Sequence, residues 1–484
     1  WTEPPNLLPG HPVTDVVLPP RVPVHAPITA FAAREGELLV GGVALSRLAA
    51  RVGQTPFYAY DRAALSQRVR TLRAALPAGI EVHYAMKANP MPALVAHMAG
   101  LVDGIDVASA GELKVALDAG ADPQHISFAG PGKRDVELHQ AVAAGVLVNI
   151  ESFREVDVLA RASQSLGVPA RAAVRVNPDF ELKGSGMKMG GGPKPFGVDA
   201  DQVPALLERI GQAGLAFEGF HLFAGSQNLR GEAICDAQQK SFDLAVRLAA
   251  HAPGPVRFLN LGGGFGIPYF PGEQPLDVAP IAGNLTQLQQ RAARELPQAT
   301  LVIELGRYLV GEAGVYVARV VDRKVSRGQV FLVTDGGLHH HLSVSGNFGQ
   351  VLRKNYPLAV GNRMDAAERE VVTVVGPLCT PLDLLGDRVE LPAAQVGDPG
   401  LERSLRYWWD ICGPVSAAEV FAAFGERDRR VRLWQAFLEN YPVVVVPAFG
   451  APSAEAFCDA RDREGMEFLL THGRFLLGLS TLGF

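Results

Sequence analysis

The chain has 484 residues, 48% of them hydrophobic and 20% charged, and a formal net charge of −5. That balance is typical of a globular protein long enough for two or three domains. With no Lys/Arg cluster to grip a phosphate backbone, no apolar run of membrane-spanning length and no basic-then-apolar leader, it argues against nucleic-acid and membrane partners and for a cytoplasmic location.

In chain order, residues 1–27 carry eight prolines and read as an extended Pro-rich leader. Short strand-like pieces such as "GELLVGGVAL" make 28–55 the N-terminal part of a β-rich domain. From 56 to 310 a rhythm sets in. Eight short apolar strands are expected: "VHYAM" (82–86), "GIDVA" (104–108), "HISFA" (125–129), "VLVNI" (146–150), "AAVRV" (172–176), "FEGFHLF" (217–223), "RFLNL" (257–261) and "TLVIEL" (300–305). Helix-length segments separate them, among them "DRAALSQRVRTLRAAL", "AGELKVALDAG" and "DAQQKSFDLAVRLAAH". Strands joined through helices pair in parallel, and eight of them predict an α/β fold of the closed (β/α)8, or TIM, barrel type. Residues 311–398 turn strand-rich ("VFLVTDGG", "REVVTVVGPLCTPLDLLG") and predict a second, β domain, while 399–484 read as an atypical helical C-terminal segment.

Polar and glycine residues gather behind the barrel strands: Lys87 and Asn89, Ser109 with Glu112, Gly130 to Lys133, Asn149 with Glu151, Asn177, Gly225 with Ser226, Gly262 to Gly264, and Glu304 to Arg307. The C-terminal mouth of such a barrel is where active sites form. The run "LNLGGGFG" exposes backbone N–H groups to an anion, although Ile267 breaks the dinucleotide-binding pattern. Glu304 and Arg307 suit a cofactor with a ring nitrogen and a phosphate. Lys87 reads either as a strand-end lysine in solvent or as an amine desolvated toward its neutral, nucleophilic form, and its neighbours favour the second. The four cysteines are far apart without a C-x-x-C pair, so neither a disulfide framework nor a structural zinc site is expected. His339 to His341 would point to alternating faces of a strand and so read as strand-end or loop histidines, with no metal.

The motifs "YAMKAN", "IDVASAGEL", "FAGPGK", "RVNP", "GFHLFAGSQ", "LNLGGGFG", "ELGRYLV", "TDGG" and "GPLCTPLD" occur in that order over residues 30–398. Together they resemble the pyridoxal-phosphate-dependent decarboxylases of the diaminopimelate/ornithine decarboxylase family, whose fold is of the alanine-racemase type. "HLFAGSQN" and "LHHHLSVSGNFGQ" look closest to the branch associated with exosortase systems. The resemblance implies a lyase that takes pyridoxal 5'-phosphate and α-decarboxylates an amino acid. Lys87 would form the internal aldimine and Glu304 would pair with the pyridinium nitrogen. Ser226, Gly263, Gly264, Gly306 and Arg307 would bind the phosphate, and Asp106 and Glu112 would support the lysine region. Cys379 would enter from a second subunit and protonate the carbanion, with Asp335 and Asp383 near the substrate, so a homodimer with shared sites is implied.

The chain departs from the family's pattern at four places. Phe223 stands where many relatives stack a histidine on the cofactor ring, and His221 sits two residues earlier. Thr380 follows the cysteine where an acid commonly reads a distal amine, and "DGGLHHHLSVSG" lacks the arginine that holds a distal carboxylate. Diaminopimelate and ornithine are therefore poor candidates for the substrate, and an amino-acid conjugate is a further candidate. Beyond residue 398 no Gly-Ala-Tyr segment appears, so a β-domain strand and a phosphate-binding tyrosine are expected to be missing and cofactor binding to be weaker. That segment resembles the C-terminal part of amidase-signature hydrolases without their catalytic lysine and serines, so no amidase activity is expected. Two alternatives remain at this level: an amino-acid racemase on the same scaffold, told apart by D-isomer formation without CO2 release, and a catalytically weak cofactor-binding or regulatory homologue, which would be expected to have lost Lys87 or Cys379.

Overall fold

A computed structural model describes residues 25–180, 187–188, 191–346 and 353–394, and, further on, 406–407, 409–411, 413–414, 416–440 and 461–472. Most of the expected leader, Cys412, Cys458 and Tyr441 lie outside the described residues.

Eight parallel strands form a closed ring: β1 (Glu81–Ala85), β2 (Gly104–Val107), β3 (Ile126–Phe128), β4 (Leu147–Ile150), β5 (Arg171–Asn177), β6 (Ala216–Leu222), β7 (Phe258–Gly263) and β8 (Thr300–Leu305). Closure comes from β8 on β1, with Glu304 opposite His83, and from β4 on β5, with Asn149 opposite Ala173. The (β/α)8 barrel expected from the strand count is the fold observed. A bulge between Phe217 and Gly219 re-registers β6 on β5. Gly219 has φ 153°, and a Cβ there would run into the Phe258 carbonyl oxygen, so only glycine lets β6 lie this close to β7.

The strands alternate in character. Val82, Tyr84, Ile105, Val107, Ile126, Phe128, Val174, Phe220, Leu259 and Ile303 are buried and belong to one core with the helix side chains. The helix Arg62–Ala75, for example, adds Leu65, Val69 and Leu72 on one face, and the Asp61 carboxylate caps it by accepting from Ala63 N and Ala64 N. Between those apolar positions each strand carries a buried polar side chain: His83, Asp106, Ser127, Asn149, Arg175, His221, Asn260 and Glu304. Since alternate residues of a strand face opposite ways, the barrel interior is polar where its outside is oil.

Beyond the barrel, Gly314–Val317 pairs antiparallel with Phe57–Tyr60, and Leu38 N donates to Gly361 O, so the N-terminal strands join the later β region. There β9 (Gln329–Thr334) runs parallel to β10 (Arg369–Val375), which is antiparallel to β11 (Leu384–Pro392). Barrel and sheet belong to one compact unit, residues through Arg319 with Val325–Ala393. Val320–Lys324 and the residues from Ala394 onward make up a second unit, whose described part includes the helices Ala417–Asn440 and Arg463–His472. Among the described residues no strand follows Pro392, and Tyr407 lies in a helical stretch. No described helix is long and apolar enough to cross a membrane.

Candidate active site

Lys87 leaves β1 in a single 3-10 turn, Met86–Ala88. Asn89 closes that turn: its N–H donates to Met86 O at 3.0 Å, and its side-chain oxygen accepts from Met91 N at 3.0 Å ahead of the helix Pro92–Ala99. The asparagine–proline pair thus stops the strand and turns the lysine into the mouth. Lys87 Nζ lies 3.7 Å from Glu304 Oε1 and 5.4 Å from the centre of the Phe223 ring. In the single chain the Lys87 side chain is 56% exposed.

Glu304 is buried at the end of β8, with its Oε2 2.9 Å from His221 Nε2. The buried His221 imidazole thus sits directly against the carboxylate. Burial alone would raise the Glu304 carboxyl, but His221, the Lys87 ammonium and Arg175 more than reverse it and hold the group well below the usual carboxylate range. Glu304 is therefore a fixed negative charge facing a lysine and an imidazole.

Three strand-end loops meet beside this pair. Gly225–Ser226 pairs antiparallel with Met187–Lys188. Asn228 N donates to Gly264 O at 2.9 Å and Gly266 N to Asn228 O at 2.8 Å, which binds the loop after β6 to the glycine turn after β7. At Gly263 a Cβ would strike the Glu304 carbonyl oxygen, and at Gly306 it would crowd Ala85 and Ala88 beside the lysine turn. Arg307 opens the helix Arg307–Val310 and lies across the Tyr269 ring at 5.6 Å. An amine, a fixed carboxylate, a buried imidazole beside it, an arginine and bare glycine backbone together fit an aromatic aldehyde that carries a phosphate.

Other expected site residues have different work. Asp106 Oδ1 accepts from Ser127 Oγ and lies 3.2 Å from His83 Nδ1, beneath the mouth. Glu112, in the first turn of the helix Ala110–Asp118 that Ser109 caps, accepts from Ala108 N at 2.6 Å. Asp335 accepts from Arg319 N at 2.9 Å and from Thr55 Oγ1. Asp383 is buried, and its two oxygens accept from Leu338 N at 2.6 Å and Leu378 N at 2.8 Å, which ties the "TDGG" and "GPLCTPLD" loops together. Both expected substrate aspartates are thus engaged by backbone in this chain. Cys379 is exposed on the second loop, where Thr380 Oγ1 accepts from Leu382 N at 3.3 Å, and no described hydrogen bond or ion pair joins either residue to the mouth of its own barrel. His339 to His341 lie in a turn before the 3-10 helix Leu342–Ser345, where Tyr58 OH donates to His340 O at 2.6 Å.

Two buried charge systems include residues given no role in the sequence, Glu155 and Arg175 in one and His83 in the other. Lys133 Nζ pairs with Glu155 Oε1 at 3.0 Å and donates to Gly130 O at 2.6 Å, while Arg175 Nη1 donates to Glu151 Oε1 at 3.0 Å. The only signal for them was a charge at a strand end, which surface residues share. In the second system, burial would depress His83, but Asp106 and, at 3.5 Å, Glu81 reverse this and raise its pKa to about 10. A raised pKa adds stability that is complete below the free value of 6.5 and lost as pH climbs through about 10. Urea melts of a His83→Gln variant should therefore lose that alkaline slope; an unchanged slope would remove the assignment.

Residues 62–311 match the family model described as pyridoxal-dependent decarboxylase, pyridoxal binding domain. The chain is 38% identical over 355 residues to the L-glutamyl-[BtrI acyl-carrier protein] decarboxylase of Niallia circulans, covering 71% of this chain and 82% of that one. It is 34% identical to the diaminopimelate decarboxylase of Pseudomonas aeruginosa, over 85% of this chain and 97% of the other. Among solved structures, diaminopimelate decarboxylase of Helicobacter pylori complexed with L-lysine superposes with a TM-score of 0.64 at 29% identity, covering 73% of this chain and 86% of that one.

Proposed function

The chain belongs to the pyridoxal-dependent decarboxylases of the diaminopimelate/ornithine decarboxylase family, and from that premise we propose that it uses Lys87 and a partner subunit's copy of Cys379 to decarboxylate an amino acid conjugated at its far end. It is a pyridoxal-phosphate-dependent amino-acid decarboxylase. The observation that carries the site reading is the Lys87–Glu304 pair, an amine 3.7 Å from a carboxylate held ionised at the base of a polar mouth.

Bound pyridoxal phosphate supplies an electron sink for the pair of electrons left when the α-carboxylate departs as CO2. Lys87 would hold the cofactor aldehyde, its exposed amine reaching out of the 3-10 turn. Glu304 would face the ring nitrogen and keep its proton, a task for a carboxylate that stays charged at working pH. Phe223, with its ring already over the Lys87 amine, would flank the cofactor ring, with His221 beneath. Ser226, Gly263, Gly264, Gly306 and Arg307 would hold the phosphate. Cys379 would deliver a proton to the α-carbon, and its exposure on its turn leaves it free to reach a second copy, which fits a homodimer with shared sites.

The conjugate reading rests on Thr380, which puts no charge where a distal amine would be read, on exposed Leu378 and Leu382 beside it, and on the likeness to a decarboxylase named for a carrier-bound glutamyl substrate. The test assays CO2 release from carrier-bound L-glutamate, free L-glutamate, diaminopimelate and ornithine. Turnover of a free diamino acid with none of the conjugate would overturn the substrate class. Mixing Lys87→Ala and Cys379→Ala chains, each inactive alone, should restore about a quarter of wild-type activity, because only half the dimers are hybrid and each has one intact site. No recovery would mean that each chain supplies its own proton donor.

A further inference from the structure

We propose that Gln227 is a positioning residue that sets Arg307 and the glycine turn for the phosphate end of the cofactor; this rests on reading those groups as the phosphate cradle. Its backbone sits at φ 57°, in the left-handed region that a residue with a Cβ occupies at a cost. The neighbouring ladder holds it there, through Asn228 N on Gly264 O and Gly266 N on Asn228 O.

In that conformation one amide works on the ends of three strands. Gln227 follows β6. Its Nε2 donates to Ile267 O at 2.6 Å and its Oε1 accepts from Ile267 N at 3.2 Å, as a neighbouring strand would, which pins the far end of the glycine turn after β7. The same Oε1 accepts from Arg307 Nη1 at 3.4 Å, after β8. An amide oxygen has two lone pairs and can serve both donors. Held by Gln227 on one side and lying across Tyr269 on the other, the guanidinium is aimed without being neutralised. A carboxylate in this place would reach the same atoms but would compete with an incoming phosphate for the arginine. The choice of a neutral side chain with this reach, at the expense of backbone strain, is what points to positioning rather than packing.

The test uses the whole chain stripped of cofactor and titrated, with absorbance as the readout, against pyridoxal phosphate and against pyridoxal, which carries the aldehyde without the phosphate. Gln227→Gly removes the amide and relieves the left-handed backbone, so it should keep the unfolding midpoint and the affinity for pyridoxal. Its preference for the phosphorylated form should fall by about tenfold or more, the scale of one well-placed charge-assisted hydrogen bond. Gln227→Glu should lose more, because it puts a counter-charge on Arg307. A Gly variant with the wild-type ratio of the two affinities, or one that loses both affinities equally along with thermal stability, overturns the inference. Wild-type protein with no preference for the phosphate form would remove the cradle reading itself, and Gln227's role with it.

Discussion

Lys87→Ala should lower CO2 release by at least about 10^3-fold and remove the visible absorption that cofactor-loaded protein shows, while leaving the fold intact. The loss should be large because, among the described side chains near the mouth, none offers a second free amine. Arg307 carries a guanidinium engaged with Gln227, and Lys133 is buried against Glu155. The fold should survive because the side chain is 56% exposed and its ion pair with Glu304 is long. The turn that carries it is held by backbone and by Asn89. Lys87→Arg separates charge from nucleophilicity: it keeps a cation near Glu304 but should be as inactive as alanine. Absorbance spectra of both variants with added cofactor check this, and an alanine variant that retains the visible band would sink the assignment of Lys87.

Lys133→Met should destabilise the protein by about 3–5 kcal/mol, a cost set by the charges it strands rather than by the contacts it loses. Lys133 and Glu155 are 1% and 2% exposed, so neither carboxylate of the Glu151–Glu155 pair can turn to water once the ammonium is gone. Glu151 keeps Arg175 and the N–H groups of Gly130 and Gly197; Glu155 is left with Glu151 N. Burial already raises the Glu155 carboxyl despite Lys133, so the variant should take up a proton there. Lys133→Met with Glu155→Gln removes both charges and keeps the acceptor for Glu151 N. It should recover much of the loss, with a coupling of about 0.5–3 kcal/mol in a double-mutant cycle. Glu151 behaves oppositely to Glu155. Burial would raise it, but Arg175, Lys133 and the backbone donors lower it, so its contribution is present above the free value of 4.5 and is lost as pH falls through the lowered value. Urea melts at neutral and acid pH measure both effects; a Lys133→Met cost below about 1 kcal/mol would show that water reaches the cluster.

The barrel was legible because it is written in periods. Eight apolar runs of strand length spaced by helix-length segments admit few arrangements, and a strand's end is visible wherever glycine, asparagine or proline interrupts it. Lys87, Glu304, Arg307 and the glycine run were placed at one mouth for the same reason, since all follow strands of a single parallel ring, and the structure brings Lys87 and Glu304 to 3.7 Å. Residue identity alone also carried the family, through ordered motifs over most of the chain. What each polar group does was decided in three dimensions. A carboxylate reads the same in a sequence whether it awaits a substrate or is consumed by backbone, and only the folded chain shows Asp383 spent on Leu338 N and Leu378 N, Glu112 on a helix end and Asp335 on Arg319 N. The converse holds for Arg175, Lys133 and Gln227, whose partners are distant in the chain, as Glu151 is from Arg175, Glu155 from Lys133 and Arg307 from Gln227. Hydrogen bonds and ion pairs are short-ranged in space and blind to sequence separation, so a polar side chain's role is settled only when the ring closes and determines which groups lose water together.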